Sequence, residues 1–225
     1  MSTATLSPPV DVEPGDRKAA DAPVAAVTRR SIDAVLISFG AVAIVVFLVA
    51  GGLLTGGYRF SDDYVSTELS SQNITFPTAD ELTAQGRTDL VSFADNRLDT
   101  GKEAEAYASF INGHLQGIAD GATYADLGVP ESAAKDAVTA AVADGQSQAQ
   151  IDELQATADG ISGQRNSLFK GETLRGLLLS AYAWSTVGTI AGIAAIGAFL
   201  AAAVMTVLVM LGLVHHRRTP KTVTA

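Results

Sequence analysis

Apolar residues in this chain are gathered into two long blocks separated by a polar stretch. The first block runs from Ala34 to Leu54, AVLISFGAVAIVVFLVAGGLL, 21 positions without a charge. At about 1.5 Å of rise per residue, a helix of that length covers roughly 30 Å, the thickness of a bilayer core. The second block, Val187 to Val214, has 28 uncharged positions. It exceeds one bilayer width and predicts a helix that tilts or projects. Buried helices of soluble proteins do not produce two such runs in one chain. With their flanks, the predicted spans occupy residues 32–56 and 186–214. The first block is longer than the ~7–15 apolar residues of a signal peptide, and about thirty residues precede it, so it reads as an anchor, with a signal peptide cleaved at the small residues Ala50-Gly51-Gly52 as the alternative.

Between the blocks the pattern is helical. Asp62 to Gln72 extends the first helix outward, and Gln72–Pro77 (QNITFP) reads as extended, since Pro77 disfavours helix before it. Thr78 with Glu81 and Thr100 with Glu103 each match a capping box. Ala104, Tyr107, Ala108, Ile111, Leu115 and Ile118 recur at steps of three and four, one apolar helix face, with Gly121 as the stop. Another helix starts near Pro130 and runs to about Ala143. From about Gln146 a long helix leads into the second span. Its stripe Ile151, Leu154, Ala158, Ile161 and Leu168 resembles a coiled-coil seam interrupted by Arg165, with a break expected near Lys170-Gly171.

Charge gives the spans an orientation. Arg29 and Arg30 precede the first block, and His215, His216, Arg217, Arg218 and Lys221 follow the second. Residues 57–185 carry 8 Lys+Arg against 19 Asp+Glu, a net charge of −11. The positive-inside rule then places both termini in the cytoplasm and the central domain outside. Tyr58 and Trp184 fit an aromatic belt on the outer side. The expected organisation is a disordered cytoplasmic tail (1–31), a span (32–56), an extracytoplasmic helical domain (57–185), a span (186–214) and a cytoplasmic tail (215–225) at the plasma membrane. The fold class is an all-α membrane protein whose two transmembrane helices frame an extracytoplasmic helical bundle.

Composition narrows the chemistry. The chain has no cysteine, which removes disulfides, thiolate metal sites and cysteine nucleophiles. A net charge of −9 argues against nucleic-acid binding, which needs a basic patch. Neither apolar block holds an ionisable residue, so the usual marker of an ion or proton pathway is missing. No HExxH, GxSxG, phosphate loop or calcium loop occurs, and the acidic pairs Asp62-Asp63, Asp80-Glu81 and Asp152-Glu153 read as a solvated face. His114, beside the apolar face, reads as a structural histidine. No catalytic, cofactor or metal site is predicted. The candidate positions concern packing and the interface. Gly188 with Gly192, and Gly197 with Ala201, have small-xxx-small spacing that lets helices approach closely, within a hairpin or between protomers. Trp184, Arg175, Arg29, Arg30, Arg217 and Arg218 are candidates for headgroup contact, with Glu172 positioned to pair with Arg175.

The strings TGKEAEAYASFINGHLQGIADGATYADLG and SLFKGETLRGLLLSAYAWSTVG, the latter followed by an Ala/Gly-rich span, resemble a family of small actinobacterial membrane proteins. Most of residues 34–214 are covered. The resemblance implies two spans around a helical domain, and members often carry the name aromatic ring-opening dioxygenase. Extradiol dioxygenases hold iron with two His and a carboxylate. Here the exported segment has only His114, and His215 and His216 fall on the opposite side, so the residues do not support that chemistry. The function expected is structural: an accessory subunit or scaffold of an envelope or membrane complex. Its partners would be the lipid bilayer and other proteins, or further copies of the chain held through the transmembrane helices. An extracytoplasmic ligand-binding or sensor module is the first alternative, and a dioxygenase or its accessory subunit the second.

Overall fold

The computed structural model describes residues 29–218; residues 1–28 of the expected disordered tail and the end of the C-terminal tail lie outside the described residues, while Arg29–Ser31, expected in that tail, belong to the first helix. The protein is all-helical, 85% helix, with no strand among the described residues. Five α-helices follow in order: α1 (Arg29–Ser71), α2 (Ala79–Ala84), α3 (Gly101–Gln116), α4 (Gly128–Ala143) and α5 (Gln148–Arg218). Helices α1 and α5 are long and apolar enough to cross a membrane. The chain forms two compact units, residues 44–203 and residues 29–43 with 204–218.

In the larger unit α1 continues without a break past its apolar block to Ser71. Its end is held by Arg97, whose Nη2 donates to the Ser70 carbonyl and to Asn73 Oδ1, both at 2.7 Å. A cation that bonds the last carbonyls of a helix also opposes the negative end of its dipole. The next residues are extended, as expected: Phe76 N donates to Asn96 O and Leu98 N to Ile74 O, each at 2.9 Å. This pairing sets Phe76, 2% exposed, face to face with Phe93 and edge-on to Tyr107, at ring distances of 5.5 and 5.1 Å. Leu82, Leu98, Ala104, Ala108, Phe110 and Leu178 belong to the same core.

Both capping boxes form, at Thr78/Glu81 and Thr100/Glu103. The 3-10 turn Thr88–Phe93, which buries Leu90, had no periodicity to announce it. The buried face of α3 is wider than predicted, since Ala106 and Phe110 are buried as well. Helix α3 also stops at Gln116 rather than near Asp120: Gly117 caps it, and Ala119 and Asp120 adopt left-handed backbone. Gly113 and Gly117 each cost the helix about 1 kcal/mol relative to alanine, which favours the earlier stop.

Helix α4 ends in a Schellman turn: Gln146 N donates to Ala141 O and Gly145 N to Val142 O, with Gly145 at φ +66°. Ser147 then starts α5, its N–H and hydroxyl both donating to Gln150 Oε1 at 3.1 and 2.7 Å. Helix α5 is one uninterrupted helix of 71 residues. The break expected at Lys170-Gly171 does not occur. Gly171 lies under Leu115, where an added Cβ would run into the leucine side chain, so this glycine admits α3 to close packing. Arg165 does not interrupt a seam; it reaches across to Glu131 on α4 and stacks 4.1 Å over the Tyr124 ring.

In the smaller unit the two helix segments run antiparallel. Gly40 faces Met205 and Val209, Ile37 faces Gly212, and Arg30 Nε donates to His216 Nε2 at 3.3 Å.

Candidate functional site

The larger unit pairs α1 with α5 along a seam of small residues. A Cβ placed on Gly188 would lie 2.8 Å from both Cβ and Oγ of Ser61, and one on Gly192 would lie 3.2 Å from the Tyr58 ring. Further along, Gly51 lies against the Phe199 ring. Rising numbers on α1 meet falling numbers on α5, so the pair is antiparallel. On α5 the buried positions Gly188, Ala195 and Ala202 recur every seven residues, the repeat that keeps one stripe facing a partner helix. This phase decides the fate of the predicted packing residues. Gly188 and Gly192 meet α1; Gly197 has no atom within 4 Å of where its Cβ would be, and Ala201 is half-buried beside Ala202. The second small-xxx-small pair is therefore not the seam of this hairpin, and Ala195 and Ala202 take its place. Ser61, 4% exposed, donates to the Trp184 carbonyl at 2.6 Å.

Next to that bond lies a groove of about 330 Å³ between α1 and α5, with Tyr64, Leu174, Leu177 and Trp184 among its walls and Glu68, Gln72 and Ser180 as polar groups. Trp184 is 53% exposed. Arg175 is half-buried on α5 and bonds Glu172 Oε2 at 2.9 Å, the pairing that the i,i+3 spacing predicts.

The smaller unit holds a constellation that sequence spacing did not signal. A cavity of about 250 Å³ between the two segments is lined by Leu36, Ile37, Met205, Leu208, Val209 and Gly212, with Asp33 and His215 as its polar residues. Asp33 Oδ2 is buried without a hydrogen-bond partner, and so is Nδ1 of His216. Arg217 and Arg218 are exposed at the end of α5, and the side chain of Arg29 lies outside the described residues.

Elsewhere the titratable groups serve structure. Glu131 accepts from Lys135 Nζ at 2.7 Å, Ser162 Oγ at 2.8 Å and Arg165 Nη1 at 2.5 Å. These bonds, led by that from Lys135, bring its pKa down to about 2. Burial opposes ionisation of Glu103, yet the Asp99 N–H and the hydroxyl and N–H of Thr100 outweigh it and hold the carboxyl below the usual range. Desolvation, followed by the charge of Glu103, raises Asp99. His114 is exposed; its Nδ1 lies 3.2 Å from Phe110 O and its ring packs edge-on to Phe110. Among the described residues no three His, Asp or Glu are grouped to hold a metal ion. No protein-family model, curated protein or solved structure matches the chain.

Proposed function

We propose that the protein is a two-span membrane anchor carrying an extracytoplasmic helical scaffold, and that it works as an accessory subunit or organiser of an envelope or membrane complex. The observation that carries this reading is α5, which joins the α4–α5 arm to the second apolar block as one helix. From Gln148 to Thr186 that arm projects roughly 58 Å at about 1.5 Å per residue. A helix without a hinge fixes where its tip stands, which serves a docking surface better than it serves a mobile lid. The basic flanks and acidic centre support cytoplasmic termini.

Two experiments test it. The chain is free of cysteine, so single cysteines introduced at the exposed Ala149 and at Lys221 report topology. A membrane-impermeant maleimide should label the first in intact cells and the second only after lysis. Crosslinking in native membranes followed by mild-detergent purification should retain specific partners, whereas recovery as a solitary monomer would overturn the scaffold reading. The groove beside Trp184 favours a second reading, a ligand-binding module. It predicts thermal stabilisation of the full-length protein by an envelope amphiphile, lost in Leu177→Trp.

A further inference from the structure

The cavity of the smaller unit is an apolar trough with Asp33 in its lining, and Asp33 Oδ2 is buried without a hydrogen-bond partner. An unsatisfied buried acceptor costs roughly 1–3 kcal/mol, and more for a charged group, so the fold gains if a donor reaches Asp33 Oδ2. Leu36 and Leu208, which line the trough, are 64% and 54% exposed. If the chain spans a membrane with its ends inside, the open side of the trough faces the cytoplasmic leaflet. The species in contact with it is then a lipid chain. Charge selects the head. Arg30, bonded to His216, and the exposed Arg217 and Arg218 at the end of α5 put cations at this end of the unit, and basic residues near the surface attract anionic headgroups by about 1 kcal/mol each.

We propose that this trough binds one anionic phospholipid of the cytoplasmic leaflet whose headgroup carries hydroxyls, as a glycerol headgroup does. The acyl chain lies along Ile37, Met205 and Gly212, the phosphate faces Arg30, and a headgroup hydroxyl donates to Asp33 Oδ2. A choline headgroup has no N–H or O–H for Asp33, and its cation meets the arginines. An ethanolamine headgroup has a donor, but it is zwitterionic.

This inference rests on the membrane reading proposed above, so the test separates the two. Full-length protein is reconstituted in bilayers of equal parts phosphatidylglycerol, phosphatidylethanolamine and phosphatidylcholine, then released for native mass spectrometry. Wild type should retain one phosphatidylglycerol, enriched at least several-fold over its share of the bilayer. Asp33→Leu should bring the retained lipid to the bulk proportions, and Met205→Trp, which fills the trough without touching the polar groups, should abolish retention. The tryptophan variant keeps the proposal testable if Asp33→Leu does not fold. Retention in bulk proportions by wild type, preference for phosphatidylcholine, or no response to either substitution overturns the lipid site. Failure of the chain to integrate, or labelling of Lys221→Cys in intact cells, overturns the membrane reading and this inference with it. Correct integration without lipid preference overturns the inference alone.

Discussion

Gly188→Ala tests the seam between α1 and α5 with a single methyl group. The added Cβ would stand 2.8 Å from Ser61 Cβ and Oγ, closer than side-chain carbons approach in real structures. Either the helices separate or Ser61 rotates and gives up its 2.6 Å bond to the Trp184 carbonyl. Overpacking costs about 1–3 kcal/mol. Losing the serine bond adds about 0.5–1.5 kcal/mol, so the expected destabilisation is about 1.5–4.5 kcal/mol. Gly197→Ala supplies the control, because nothing lies within 4 Å of its Cβ position. It should be neutral or stabilise by up to about 1 kcal/mol through helix propensity. The assay is reversible unfolding in mixed micelles, followed by the fluorescence of Trp184, the single tryptophan of the chain. Ser61→Gly combined with Gly188→Ala should recover part of the loss, with a coupling of about 1–2 kcal/mol in a double-mutant cycle. Equal effects of Gly188→Ala and Gly197→Ala, or no coupling to Ser61, would refute the seam.

Three further outcomes follow from the larger unit. Phe76→Ala should cost about 3–5 kcal/mol, the range for emptying a buried aromatic site, because Phe76 is 2% exposed between Phe93 and Tyr107; chemical denaturation measures it. Thr100→Ala removes the hydroxyl that accepts from Glu103 N at 3.3 Å and should cost about 0.5–2 kcal/mol, read as a lowered midpoint of thermal unfolding. Glu131 has a pKa lowered from 4.5 to about 2, so its contribution is complete above pH 4.5 and lost as pH falls toward 2. Hydrogen exchange should show α4 loosening across that window, and Glu131→Gln should flatten the dependence.

Local signals in the sequence were legible wherever a few adjacent residues decide the geometry. The capping boxes at Thr78 and Thr100, the extended stretch before Pro77 and the two long apolar helices all rest on short-range chemistry. What depended on a distant neighbour was not legible. Gly171 reads as a helix breaker from propensity alone, yet Leu115 of another helix gives it a packing role and α5 continues through it. Arg165 looks like a flaw in an apolar stripe until Glu131 and Tyr124 are placed opposite. Asp33 and His215 lie near opposite ends of the chain, Asp33 with no sequence signal and His215 reading as flanking charge; only the antiparallel pairing of the helix ends puts both on one cavity. The stretch GTIAGIAAIGAFLAAA offers small residues on several faces at once, so spacing alone could not choose between Gly197 and Ala195.

The face that was chosen bears on the membrane reading beyond length and composition. In the larger unit α5 turns Gly188, Ala195 and Ala202 toward its partner and leaves Val187, Ile190, Ile193, Ile196 and Leu200 outside, each 56–67% exposed. A soluble helix pair gains most by burying its largest apolar side chains, and would place these residues the other way round. In lipid the hydrophobic gain between helices vanishes, and close backbone approach through small residues is what remains to hold them together. Only 11% of the most apolar 18-residue stretch in each long helix is buried, which separates both from the core helices of a soluble protein. Apolar bulk outside and small residues inside is the arrangement that suits a helix pair in a bilayer. On that ground the scaffold is proposed as a membrane protein, and the lipid site proposed at Asp33 rests on the same reading.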